Sequence, residues 1–197
     1  MPEKSSWKEH YWYTVPVMRA RIEKIIELSK PEGKEIVEVG CNEGFVSKAL
    51  LENGAKRVVP VDYDQAMCDK ANHMFGVDAV RGDILALPFP DQSFDVALGC
   101  EVLEHIHNPF KGLSELFRVA RERVVITVPV GPYWAGELTH QWILNGALLD
   151  HDSAAVIDAE KHILVLCFDR IRDTGFKDIP PFNTQELMKR FNIPRTS

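Results

Sequence analysis

Short β-rich runs alternate with stretches of helical periodicity along most of this chain, and that rhythm admits few folds. Runs 35–39, 57–61, 77–80, 94–98 and 124–128 are dominated by Val, Ile, Ala and Leu. Each is too short for a helix and is bounded by Gly, Pro, Asn or Asp. Helical segments lie between them. One covers 47–51 and stops at Asn53-Gly54. A second covers 65–74, with Asp64 placed to accept the free amides of its first turn. A third opens at Asn108-Pro109 and carries Leu113, Leu116, Phe117 and Ala120 on one face. Strands separated by helices in this way make βαβ units. The expected fold is α/β: a doubly wound, mostly parallel sheet with helices on both faces.

Before the first strand, Met18, Ile22, Ile25 and Ile26 recur at helical spacing, and Pro31 and Gly33 end that helix. Residues 1–30 therefore read as an N-terminal helical segment and 31–197 as the main domain. From 130 to 161 the pattern loosens around Tyr133, Trp134 and Trp142, which reads as a partly helical insertion. A helix over 168–174 and a strand over 176–179 are expected next, then a helix over 185–191. Only one clear strand falls in this last part, so the sheet is expected to lack part of a C-terminal antiparallel pair or to borrow it from a partner.

The 197 residues suit one domain, and a net charge of −6 with scattered basic residues counts against nucleic acid or an anionic membrane as partner. The densest basic cluster, Arg118, Arg121 and Arg123, is small and interrupted by acids. Cys41, Cys68, Cys100 and Cys167 show no CxxC spacing and read as reduced thiols of a cytoplasmic protein. The charged N-terminus carries no signal-peptide pattern, and no apolar run reaches membrane-spanning length.

In open α/β sheets, ligands bind beyond the carboxyl ends of the strands. Four such ends carry chemistry here. After the first come Glu38, Gly40, Cys41 and Gly44, where glycines allow tight turning and Glu38 can receive an ammonium group. After the second comes Asp62, whose carboxylate can take both hydroxyls of a ribose. Asp83 and the Ile84 backbone follow the third and can read an adenine edge. Cys100 and Glu101 follow the fourth. A nicotinamide dinucleotide fits less well: its fingerprint is G-x-G-x-x-G, whereas Gly40 and Gly44 lie four apart and Glu43 would face the phosphates.

This ordered set resembles the class I S-adenosylmethionine (SAM)-dependent methyltransferases. The matching pieces are Glu38-Val-Gly40…Gly44, Val61-Asp62, Gly82-Asp83-Ile84, Leu87-Pro88-Phe89…Phe94-Asp95, Glu101-Val-Leu-Glu104-His105 and Arg118-Val-Ala…Val128-Pro129. The resemblance implies a Rossmann-like fold and SAM as cofactor. Glu38, Gly40 and Gly44 would surround its methionine part, Asp62 its ribose, Asp83 and Ile84 its adenine, and Tyr63 the adenine face. Asn42 departs from the family by standing where a glycine is usual, which should stiffen the first loop. Pro60 inside the second strand should remove a ladder hydrogen bond.

For the transfer itself, Glu101, Glu104 and His105 form the candidate catalytic patch, with His162 as a further candidate. A helix there would bring the three to one face. Similar Glu-x-x-Glu-His segments occur in ubiquinone-pathway O-methyltransferases and in small-RNA 2′-O-methyltransferases, where they resemble a divalent-metal site. Without a metal, His105 acts as base or positions the acceptor; a metal here is the less favoured reading. The expected activity is methyl transfer to a small-molecule acceptor, at oxygen. A metal-assisted RNA 2′-O-methyltransferase and a catalytically silent methyltransferase-like binding subunit stand as alternatives. The acceptor's identity and the oligomeric state are not written in the sequence.

Overall fold

A computed structural model describes residues 6–129, 139, 155–158 and 163–169 of the chain. In chain order the strands are β1 (Glu35–Val39), β2 (Arg57–Asp62), β3 (Val80–Arg81), β4 (Phe94–Cys100), β5 (Ala120–Pro129), β6 (Ala155–Asp158) and β7 (Ile163–Asp169). The helices are α1 (Tyr11–Thr14), α2 (Pro16–Ser29), α3 (Phe45–Glu52), α4 (Gln65–Phe75) and α5 (Pro109–Val119). One sheet runs β3-β2-β1-β4-β5-β7-β6. The first five strands pair in parallel, and β7 pairs antiparallel with both β5 and β6. The Rossmann-like architecture expected from the rhythm of the chain is present.

Alternation along the strands sorts the core into two layers. Ile36, Val96, Leu98, Val125 and Val165 face the layer built with Ile22 and Ile25 of α2, Ala49 and Leu50 of α3 and Ala71 of α4. Val37, Ala97, Val124, Ile126 and Val128 face the opposite layer, built with Leu116 and Val119 of α5. The same alternation turns Glu38 and Thr127, both buried, toward the α2 and α3 side. Helix α2 packs across β5, β6 and β7. Arg123 donates to its Leu28 carbonyl at 2.9 Å, which fixes the end of α2 to the sheet.

Capping follows the sequence. Asp64 accepts from the Ala66 amide at 2.9 Å, and Asn108 from the Lys111 amide at 3.0 Å. Pro60 costs the sheet little. Val61 turns its carbonyl to Gly40 and Cys41 on the β1 side, whereas Asp62 turns its carbonyl to Gly82 on the β3 side. Pro60 therefore faces β3 too, and β3 begins only opposite Val61.

Three expectations need correction. The third strand lies at Val80–Arg81 rather than 77–80, because the Asn72 side chain binds both the amide and the carbonyl of Ala79 and holds it out of the ladder. Phe168 belongs to β7, not to a helix: the run 163–169 is continuously apolar up to Phe168, a pattern that suits a helix or a strand, and pairing with β5 decides it. The antiparallel pair is not missing, since β7 and β6 supply it, and β6 lies within the stretch read as an insertion. The expected helix over 185–191 and strand over 176–179 lie outside the described residues.

Candidate cofactor and methyl-transfer site

The winding reverses between β1 and β4, which lie side by side. A crevice at their carboxyl ends is the expected ligand site of such a sheet. Glu38 enters it from β1, 1% exposed, and its carboxylate accepts a hydrogen bond from the Ser47 hydroxyl of α3. Burial pushes its pKa up to about 8. Gly40 follows at φ +78°, and a Cβ there would stand 2.9 Å from that of Val102. Gly44 at φ +82° caps α3, and a Cβ there would stand 2.8 Å from that of Ala71. Both glycines are thus required by conformation and by contact.

Asn42 sits at φ +47°, a left-handed conformation that Asn tolerates better than most residues. Its amide donates to Asp62 Oδ2 at 2.8 Å, while Asp62 Oδ1 accepts from the Asp64 amide at 2.9 Å. The Asp62 carboxylate is therefore oriented by two loops, and each oxygen keeps capacity for one more donor. The departure at Asn42 helps to aim Asp62. Nearby, Glu43 pairs with Lys70, and His10 Nε2 lies 3.2 Å from its carboxylate.

Tyr63 is 68% exposed rather than core, with the Arg81 guanidinium 5.7 Å over its ring. Asp83 accepts from the Leu85 amide at 2.8 Å, which shapes the turn after β3. The Ile84 side chain is buried in the α5-side core, so only its backbone is available to a ligand. Cys41 and Cys100 are buried, and burial pushes both thiols up, so they remain neutral.

At the end of β4 no α-helix forms over Glu101–His105, so the spacing that would have gathered the three side chains on a helix does not apply. Glu101 takes φ +52°, and its amide donates to both the carbonyl (2.9 Å) and the hydroxyl (3.1 Å) of Thr127. This clamp bends the chain, and only a single 3₁₀ turn, Leu103–His105, follows. The three polar side chains differ in exposure, Glu104 being buried and His105 exposed. Glu104 is 1% exposed with neither carboxylate oxygen hydrogen-bonded, and burial together with the Glu101 charge pushes its pKa up to about 8. His105 lies at the surface. Its Nδ1 is 3.2 Å from the Thr139 carbonyl oxygen and its Nε2 3.7 Å from Glu104 Oε1. Among the described residues, no group of three or more His, Cys, Asp or Glu side chains is placed to hold a metal ion. His162 lies outside the described residues.

Reading by motif missed Ser47, Val102, Thr127 and Arg21. Ser47 shows no sequence signal as a partner of Glu38, because helix α3 had first to be docked on β1. Arg21 comes from α2, and its Nη1 lies 3.8 Å from Glu101 Oε2.

A doubly wound sheet with a glycine loop after β1, an oriented carboxylate after β2 and acidic groups after β3 and β4 defines a domain for an adenosine-bearing amino acid rather than for a dinucleotide. Residues 37–128 match the family of the methyltransferase domain. The chain is 32% identical over 124 residues to a protein of Mycolicibacterium smegmatis named a probable S-adenosylmethionine-dependent methyltransferase, covering 61% of this chain and 46% of that one. It is 37% identical over 94 residues to the phthiotriol/phenolphthiotriol dimycocerosates methyltransferase of Mycobacterium tuberculosis, covering 45% of this chain and 34% of that one. In fold it is similar to a Thermotoga maritima SAM-dependent methyltransferase described as a possible histamine N-methyltransferase. The TM-score there is 0.61 at 18% identity, covering 80% of this chain and 92% of that one. The chain thus spans about half or less of the length of these curated relatives. Residues 37–128, a little under half of the chain, resemble the methyltransferase domain, and the similar Mycolicibacterium smegmatis protein is named for dependence on SAM. The residues fit it: the carboxyl groups of Glu38 and Glu101, the latter with Oε1 buried and without a hydrogen bond, can receive a cationic ligand, and Asp62 is aimed for a diol.

Proposed function

We propose that this protein transfers the methyl group of SAM to a small-molecule acceptor, at a hydroxyl oxygen. SAM, when bound, supplies an electrophilic methyl on a sulfonium. Glu38 and the Gly40–Gly44 loop hold its amino-acid end, Asp62 its ribose, and Asp83 with the Ile84 backbone its adenine, with Tyr63 against the ring. Cys41 and Cys100 line the walls as neutral groups.

The observation that carries the choice of oxygen is the setting of His105. A carbonyl only accepts, so the contact with Thr139 puts a proton on Nδ1 and turns Nε2 into the nitrogen that can act as base. A hydroxyl needs such a base, and the Glu104 carboxyl is the group beside it, its Oε1 3.7 Å from Nε2. Glu101 shapes the mouth, and His162 is a second candidate for handling the proton.

A small acceptor is favoured over nucleic acid by charge. Arg118 is engaged by Glu115 and Asp91, Arg121 by Asp95 and Glu35, and Arg123 by the Leu28 carbonyl, so the densest basic cluster is neutralised within the fold. We place the protein in the cytoplasm from its four cysteines, which read as reduced thiols. Among the described residues no helix is long and apolar enough to cross a membrane.

The test is a screen with methyl-labelled SAM against hydroxyl and amine metabolites, run on wild type and His105→Ala. The expected result is O-methylated product whose kcat falls about 10²- to 10⁴-fold in the variant while SAM affinity holds. N-methylated product alone, or full activity in the variant, would overturn the choice of oxygen and base.

A further inference from the structure

We propose that His10 is a proton-dependent tie between the N-terminal segment and the glycine loop after β1. The neutral ring holds both; the protonated ring holds the loop alone. The tie depends on the contacts of one side chain and not on the identity of any ligand.

His10 is the residue before α1, and its side chain is 9% exposed. The ring lies against Phe45 of α3 and Phe75 of α4, with centroids 5.1 and 5.4 Å away. Its two nitrogens meet opposite kinds of partner. Nδ1 accepts from the Trp12 amide at 3.3 Å and so caps α1, while Nε2 lies 3.2 Å from Glu43 Oε2. An amide only donates, and an ionised carboxylate only accepts. Both contacts are met together only by a neutral ring with its proton on Nε2. That is the reverse of His105, whose contact with Thr139 puts the proton on Nδ1.

A second proton has one place to go, Nδ1, and there it faces the Trp12 N–H. Two donors cannot bond, so the cap on α1 is lost. The Glu43 contact survives, because Nε2 keeps its hydrogen and the ring now carries charge. The surrounding charged groups are engaged with one another. Lys70 of α4 hydrogen-bonds Glu43 and holds its carboxyl below the ordinary carboxylate range. Lys48 pairs with Glu52 on α3, Glu9 accepts from the Ser6 amide, and Lys8 lies over the Trp7 ring. Trp7 itself stays buried against Phe45, so the release is local. What is set free is α1, four residues whose Tyr11 and Trp12 rings are exposed.

Nitrogen-15 NMR of the full chain at about pH 7.5 and about pH 5.5 tests this, because histidine side chains change charge across that range. At the upper pH the His10 ring should show its proton on Nε2. On acidification the Trp12 amide should exchange about three- to ten-fold faster than the change in intrinsic rate accounts for, the effect of losing one hydrogen bond. His10→Asn supplies an oxygen that caps but does not titrate, and should hold Trp12 protection equal at both pH values. A neutral His10 with its proton on Nδ1, or wild-type Trp12 protection unchanged by acid, would overturn the proposal. So would an acid loss of protection that persists in full in His10→Asn. The two wild-type readouts decide the matter even if the variant fails to fold.

Discussion

At Glu38 and Glu104 a carboxyl group is kept from water at the mouth of the sheet, and both have pKa values raised to about 8. An unfolded chain releases those protons near the ordinary carboxylate value of about 4.3. Between these limits the native state binds more protons than the unfolded state, so stability must fall as pH rises from about 4.5 through about 8. Thermal melts of the cofactor-free protein should decline over that window, and Glu104→Gln, which cannot ionise, should flatten the slope. An unchanged slope would mean that Glu104 is already charged or solvated. Asp62→Ala should weaken SAM binding about 10- to 100-fold in calorimetry, because the diol loses its charged acceptor; unchanged affinity would contradict the assignment. Glu38, Gly40, Gly44 and Asp62 could be named as candidates because each stands at a fixed offset from a strand readable by itself. Arg21, Ser47 and Thr127 were not, since each meets the site only after a separate element has docked.

Helix α5 shows how an element positions a site it does not enter. Glu115 accepts from the Leu87 amide at 3.0 Å, and Arg118 donates to the Leu87 and Phe89 carbonyls at 3.0 and 2.7 Å. Together they tie down the loop that follows Asp83 and Ile84. The Arg118 hydrogen bonds, with Lys111 and the Leu87 amide adding to them, lower Glu115 to about 2. A depressed carboxylate contributes stability above about 4.3 that is lost as pH falls toward 2. Glu115→Gln should therefore lower the urea midpoint at neutral pH and reduce the loss of stability in acid. A midpoint equal to wild type at pH 7 would show that this tie carries no load. The sequence pattern predicted α5 and its Asn108 cap correctly because capping is local. It left open the conformation after Glu101, where the clamp comes from Thr127, 26 residues away along the chain.

Across the molecule, the local rhythm of strands and helices was enough to infer the parallel half of the sheet. The β5–β7–β6 pairing was not, because it joins segments separated by residues whose pattern carries no period, and only tertiary contact chooses strand over helix for an apolar run. The pairing has a consequence for folding. A chain cut after Pro129 would leave the β5 edge and Val125 uncovered, since β7 pairs along β5 from Arg123 to Pro129. Such a truncation should aggregate, as seen by light scattering, where the full chain does not; a monodisperse truncated protein would show that β7 is dispensable.

In the function proposed above, one crevice at the tips of β1, β2 and β4 holds a cationic adenosyl amino acid. Calorimetric titration of the full chain with SAM and, separately, with NADH tests it most directly. Saturable one-to-one SAM binding with no NADH binding is the predicted result; NADH binding in the absence of any SAM binding would contradict it.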